Sequence, residues 1–332
     1  MSSVTAQTIT DDEADIRLDR WFRRHFPAAT QGMIQKLCRT GQIRVDGKRA
    51  DAATRLSPGQ SVRIPPLPAT PPPPADARPL DAATIRELEG MIMYMDDHLI
   101  ALNKPPGLPV QGGPGIVRHL DGMMDNFRQG AGDKPRLVHR LDMDTSGVLI
   151  LARSPGTAAK LAAAFRSRHV EKTYWAVVAG RPSPQEGRIE IPLVKFGGLR
   201  GGERVAVAEP GEDGSTRATT EFRTLDAAGR KLAWLELSPL TGRTHQLRVH
   251  CVALAAPIVG DRMYGGEASH VEGLPDRLHL HARRLVFPHP AGGTMALEAD
   301  LPPHMRETFR LMGFHAPAPA PPRHSAAGTK NQ

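Results

Sequence analysis

The sequence predicts a mixed α/β (α+β) protein built in two parts, and three observations lead there. Residues 15–64 combine two short amphipathic helical stretches with brief strand patterns, and residues 65–79 are rich in proline. Beyond residue 91 come several β-rich runs, with helical stretches between them. A length of 332 residues and a hydrophobic fraction of 40% leave material for about two cored domains. No run reaches the ~18 apolar residues that a membrane helix needs. The opening MSSVTAQTITDDEAD has no basic-then-apolar leader pattern and is too acidic for a transit peptide. Cys38 and Cys251 are the two cysteines, with no CxxC, which excludes a disulfide framework and a cysteine zinc site. The expectation is a soluble, cytoplasmic, monomeric protein.

The positive charge is concentrated at the front. Residues 15–64 hold eleven basic and four acidic residues, a net +7 within a chain total of +8. A field of this kind suits a polyanion, because each neutralised phosphate releases a counterion; a merely solvated basic face is the alternative. Leu18, Trp21 and Phe22 at i, i+3, i+4 predict a first helix, with Arg17, Arg20 and Arg24 on its other side. A second helix is predicted over 31–40, with Ile34, Leu37 and Cys38 inward, Lys36 and Arg39 outward, and Gly41 as its stop. Ile43 and Val45 alternate with polar residues, Asp46-Gly47 is a two-residue hairpin turn, and a strand over 61–64 follows the Ser57-Pro58-Gly59 turn.

RLDRWFRRHF, QGMIQKLCRTGQIRVDGKRA and LSPGQSVRIP, in that order, resemble the S4 domain, a small RNA-binding module. The resemblance implies that 15–64 contacts structured RNA through basic residues, the candidates being Arg17, Arg20, Arg24, Lys36, Arg39, Arg44 and Lys48. Residues 1–14 are expected to be a flexible lead-in. The proline-rich 65–84 is expected to be an extended linker, 85–313 a second domain, and 314–332 a disordered tail. A helix is expected to begin at Asp81, at the end of the linker. Strands should follow in MIMYMDDHLIALNKP, with Asp96-Asp97-His98 as the turn.

The chemistry gathers in a few stretches. RLVHRLDMDTSGVLILA, residues 136–152, puts a polar loop before a buried strand, the sort of place where catalytic groups are carried. By composition alone Asp142 and Asp144 fit a metal pair, a glycosidase-type pair, a nucleophile with a structural partner, or loop capping. KTYWAVVAG (172–180) reads as a strand, and LSPLTGRTHQLRVH (237–250) as a strand, a glycine turn and a helix. PIVGDRMYGG (257–266) and RLHLHARRLVFPHP (277–290) follow.

Together with NKPPG at Asn103, these stretches resemble the RluA family of pseudouridine synthases, with HRLD at 139–142 and TSG at 145–147. The match spans about two thirds of the chain, and several motifs in one order are far more specific than any single one. The resemblance implies a mostly antiparallel sheet flanked by helices, and isomerisation of uridine to pseudouridine without a cofactor. Its expected target is large-subunit ribosomal RNA; transfer RNA, or a non-catalytic role in ribosome assembly, are the alternatives. By the same resemblance Asp142 is the reacting carboxylate, a nucleophile toward ribose or uracil or a base toward a sugar proton, and Tyr174 stacks on the target base or also helps deprotonate the rearranged ring. Arg140 fills the place that the flipped nucleotide leaves. Arg248 is expected as the salt-bridge partner that keeps the partly desolvated Asp142 ionised. No metal site is expected, although His279, His281, His245 and His250 are close enough in sequence to raise the idea. Asn103–Gly107 and Gly112–Gly115 lack a phosphate-loop signature and are expected to shape a loop beside the cleft. Asp144 is assigned to the loop's structure.

Overall fold

The structure, a computed structural model, describes residues 4–26, 28–67, 81–113, 116–127, 134–167, 169–197 and 204–325. It divides into two compact units, Met1–Pro79 and Leu80–Gln332. Most of the expected linker, residues 68–80, lies outside the described residues.

In the first unit, strands β1 (Thr5–Thr8), β2 (Arg44–Val45), β3 (Lys48–Arg49) and β4 (Ser61–Ile64) form a sheet in the order β1-β4-β2-β3. Helices α1 (Leu18–His25) and α2 (Gln31–Arg39) pack with it. The predicted triplet Leu18, Trp21 and Phe22 is fully buried in one cluster with Ile34, Cys38, Ile43 and Val62. Thr30 caps α2, its hydroxyl accepting the Met33 N–H at 3.3 Å. Asp46 and Gly47 both take positive φ, 49° and 76°, as a type I′ turn between β2 and β3 requires.

The lead-in is not free of structure as expected. Thr5–Thr8 pairs antiparallel with Ile64–Ser61, and Glu13 is buried beside His25. Thr-Ala-Gln-Thr has no apolar period to read; main-chain bonds to the open edge of β4 hold it, and local sequence does not encode those.

The second unit opens on α3 (Ala82–Gly90), where the Asp81 carboxylate accepts the Thr84 N–H at 2.7 Å. Then come β5 (Ile92–Met95), β6 (Leu99–Lys104), α4 (Leu120–Met123), β7 (Arg136–Leu137), β8 (Ser146–Ala152), α5 (Pro155–Arg166) and β9 (Glu171–Ala179). The chain continues through β10 (Glu186–Glu190), β11 (Leu193–Phe196), β12 (Arg204–Val207), β13 (Thr219–Ala228), β14 (Leu232–Pro239) and α6 (Gln246–Ala253). It ends with β15 (Leu280–Pro288), β16 (Thr294–Glu298), α7 (Pro303–Met312) and β17 (Arg323–Ser325). The large sheet runs β10-β13-β14-β9-β15-β8-β6-β5, with β7 beside β8, β16 beside β15 and β17 beside β16. Every described pairing is antiparallel except β15 with β8.

That exception sits at the centre. Along β8, Leu149 and Leu151 join one core cluster, while Val148 and Ile150 join another with Leu161 and Phe287. Both faces of the strand are therefore covered, which is why its sequence is continuously apolar. At the head of β8, Gly147 has φ 110°, and a Cβ there would lie 2.2 Å from the Ala282 carbonyl oxygen. Only glycine lets β8 approach β15 so closely.

The tail also departs from expectation. Phe314 is buried against Trp234 and Phe309, and Arg323–Ser325 adds a strand to β16; residues 326–332 lie outside the described residues. As with β1, the pairing is long-range and leaves no local period.

Candidate active site

The polar loop of residues 138–145 enters β8 and is pinned at several points. His139 Nε2 accepts the Ile150 N–H at 2.9 Å, and its ring stacks on Phe165 with centroids 4.5 Å apart. A nitrogen that accepts carries no proton, so the ring is neutral. Burial, with a smaller push from Lys172, brings its pKa down to about 3. The Met143 carbonyl accepts from Lys104 Nζ at 2.8 Å and from the Gly107 N–H at 2.9 Å. Ser146 Oγ meets His281 Nδ1 at 2.8 Å.

Lys104 is wholly buried, and its ammonium also donates to the Pro105 and Leu108 carbonyls at 2.9 Å each. Burial lowers it to about 8 against the opposing pull of Asp144 and Asp142, so at neutral pH it remains charged. The NKPPG stretch thus shapes the loop, its lysine and its Gly107 N–H together tying it to the residue after Asp142.

Asp142 faces a cavity of about 480 Å³ lined also by Arg140, Lys172, Tyr174, Arg243, His245 and Arg248. Its side chain keeps 23% of its exposure. Gly147 pairs with Ala282, Ala282 with Tyr174, and Tyr174 with Leu237, so these four form one row across the sheet. Ala282 is buried between Gly147 and Tyr174 in one core cluster, so the row fixes the Tyr174 strand against the loop that carries Asp142. Burial, with the Asp142 charge adding to it, raises the Tyr174 phenol far above its usual value. A phenol held protonated suits a stacking face better than a base.

Arg248 does not hold Asp142. Its guanidinium bonds both carboxylate oxygens of Asp261, at 2.8 and 2.6 Å. Asp261 is 1% exposed, and a carboxylate so buried needs a fixed cation. From the sequence the partner was hidden, because Asp261 is 13 residues away beyond the end of α6. The group that faces Asp142 is His245, with Nε2 3.8 Å from Oδ1.

The turn before α6 is stapled by Gln246. Its amide nitrogen donates to the Thr219 carbonyl and its oxygen accepts from Thr241 Oγ1 at 2.7 Å and from the Arg243 N–H at 3.1 Å. Sequence reading passed over His245, Lys104, Asp261 and Tyr264 as site residues, though each lies inside a quoted motif. It missed Lys172 as well, a half-buried cation with no hydrogen bond or ion pair among the described residues, whose pKa burial lowers.

Other candidates are placed as follows. Arg20, Arg24, Lys36, Arg39, Arg44 and Lys48 are exposed on the first unit. Arg17 instead precedes α1 and is clamped on Asp19 at 2.7 and 3.1 Å. Arg44 is held by the Gly41 and Gly47 carbonyls. Each histidine weighed for a metal has a protein partner. His279 meets Thr308 and His250 meets Thr220, while His281 meets Ser146 and His245 meets Tyr264. Among the described residues no group of three or more ligating side chains is assembled.

The patterns of two families match the chain: RNA pseudouridylate synthase over residues 98–253 and the S4 domain over 16–62. The chain is therefore a pseudouridine synthase by class, an isomerase acting on RNA, with an S4 domain ahead of the catalytic one. It belongs to the RNA pseudouridine synthase family of RluA type. It is 34% identical over 313 residues to the ribosomal large subunit pseudouridine synthase C of Escherichia coli (strain K12), covering 90% of this chain and 93% of that one. To the mitochondrial RNA pseudouridine synthase 4 of Arabidopsis thaliana it is 31% identical over 389 residues, covering 93% and 81%. The solved human RNA pseudouridylate synthase domain containing 4 has a TM-score of 0.58 at 28% identity, over 71% of this chain and 98% of that chain. No helix among the described residues is long and apolar enough to cross a membrane.

Proposed function

We propose that this enzyme isomerises uridines of large-subunit ribosomal RNA in the cytoplasm, with Asp142 as its reacting carboxylate. The observation that supports it most is the half-buried Asp142 in a cavity shared with the protonated Tyr174 ring. In the reaction the N1–C1′ bond breaks, the uracil turns, and a C5–C1′ bond forms. C5 gives up a proton and N1 ends with one. Substrate and product are isomers, so the atoms balance with no co-reactant, and a single ionised carboxylate is enough to open the route.

Tyr174 supplies a face for the base, an interaction of about 1–3 kcal/mol in single-stranded RNA sites. The target leaves its stack at a cost of a few kcal/mol, and exposed Arg140 at the cavity mouth takes its place. Arg248, fixed by Asp261, is one positive wall of the pocket. Arg166, Lys172 and Arg243 line its rim, where the RNA backbone carries its phosphates. The S4 domain adds further cationic contacts and no chemistry.

The test is pseudouridine mapping across ribosomal and transfer RNA from cells lacking the gene. The same cells are then supplied with the wild type or with Asp142→Asn. Ribosomal sites restored by the wild type alone are the expected outcome; sites restored by both proteins, or confined to transfer RNA, would contradict the proposal.

A further inference from the structure

His245 is the residue directly opposite Asp142, and its surroundings fix which nitrogen carries the proton. Its Nδ1 lies 2.6 Å from the Tyr264 hydroxyl. That hydroxyl oxygen already accepts the Val205 N–H at 3.1 Å. The hydroxyl still has its own proton to give, and the Asp142 carboxylate that Nε2 faces can only accept, so the arrangement that suits both neighbours has Nδ1 as the acceptor. Burial raises the Tyr264 phenol, which keeps that proton in place, and the Arg248 guanidinium lies 4.9 Å above the Tyr264 ring. With Nδ1 accepting, a neutral imidazole carries its proton on Nε2, the atom 3.8 Å from Asp142 Oδ1.

The backbone at this point makes the ring's presence more telling. His245 has φ 51° and ψ 16°, a left-handed conformation at the N-cap of α6 that a side chain makes costly. Glycine would meet the same need without strain. What the imidazole adds is its two nitrogens, one on Tyr264 and one toward the carboxylate. Arg248, the expected partner of Asp142, is occupied by Asp261.

We propose that His245 is a positioning residue for Asp142, its tautomer set by the Tyr264 hydroxyl. The Nε2–H orients Oδ1, leaving the other carboxylate oxygen directed at the substrate, and the contact tightens when the bound nucleotide excludes water. The inference rests on Asp142 being the reacting carboxylate.

The experiment uses the full-length enzyme and large-subunit ribosomal RNA transcribed with C5-tritiated uridine, whose label is released when C5 becomes the glycosidic atom. Single-turnover rates, RNA affinity and thermal stability are measured for His245→Gly, His245→Gln, Tyr264→Phe and Asp142→Asn. His245→Gly is expected to lower the rate about tenfold or more, with RNA affinity within about twofold and stability undiminished. Tyr264→Phe should move the rate in the same direction, and His245→Gln, which keeps an N–H donor, should exceed His245→Gly. A wild-type rate for His245→Gly beside an inactive Asp142→Asn would overturn the inference and leave the proposed function standing. A rate loss that merely tracks weakened affinity or stability, or no difference between Gln and Gly, would overturn it too. An active Asp142→Asn would instead strike the underlying assignment.

Discussion

Arg248 and Asp261 form a two-point ion pair, with Nε 2.8 Å from one carboxylate oxygen and Nη2 2.6 Å from the other, almost entirely out of solvent. The pair fixes the first turns of α6 to the loop that follows it, and so places His245 and the cationic wall of the pocket together. Removing one member leaves a buried charge without its partner. Asp261→Asn is expected to destabilise the enzyme by about 3–5 kcal/mol in urea unfolding. The double change Arg248→Met with Asp261→Leu should regain most of that stability and still show no turnover. A double variant with restored activity would mean that the pair serves the fold alone.

Lys104 is a cation spent on main-chain oxygens. Lys104→Met takes the ammonium from the Pro105, Leu108 and Met143 carbonyls, the last of which keeps the Gly107 N–H, at about 1–3 kcal/mol for each carbonyl left without a partner that water cannot reach. Because one of them belongs to Met143, next to Asp142, the variant should lose turnover beyond what its lowered stability explains. Single-turnover rates measured well below the variant's melting temperature check this. Normal rates there would show that the loop holds its shape without the lysine.

Arg140 is exposed beside a half-buried Asp142, the arrangement a residue needs to enter a duplex while the target base enters the pocket. Arg140→Ala should slow modification of structured RNA far more than of a short unpaired oligonucleotide, since only the former must be held open. Equal slowing on both substrates would remove that role.

Two sets of cations predict two salt responses. Neutralising Arg20, Lys36 and Arg39 in the S4 domain should weaken binding and flatten its dependence on salt. On a duplex the slope falls by about 0.9 for each phosphate that no longer meets a cation. The turnover rate at saturation should be untouched. Lys172→Met should lower affinity as well, with a slope change equivalent to about one phosphate. Nitrocellulose-filter binding across a salt series separates these effects, and unchanged slopes would deny these side chains a phosphate.

Acid sensitivity follows from histidines held neutral in the interior. Burial takes His139 and His281 to about 3 and His279 to about 4, each from an ordinary value of 6.5. Within that window the unfolded chain binds more protons than the folded one, so their contribution to stability is complete above about pH 6.5 and declines as pH falls. Each residue contributes up to about 1.4 kcal/mol per pH unit there. Urea midpoints should fall steeply from pH 7 to pH 5. A flat profile would show that these rings are charged in the folded protein.

How legible was the enzyme in its sequence? The apolar triplet of α1, the Asp46-Gly47 turn and the unbroken apolar run of β8 were readable because each expresses a local rule. Periodicity gives a buried face, positive φ gives a hairpin, and cover on both faces gives a strand without polar alternation. The order of the motifs was enough to single out Asp142 and Tyr174, and the tertiary structure brings both to one cavity. The edge strands at Thr5–Thr8 and Arg323–Ser325 were not readable, since main-chain bonds to distant strands leave no side-chain pattern. Nor was the choice that Arg248 makes between two carboxylates. A sequence shows that an arginine and two aspartates are present; only packing shows which aspartate is dry enough to claim the guanidinium, and which is left to a histidine.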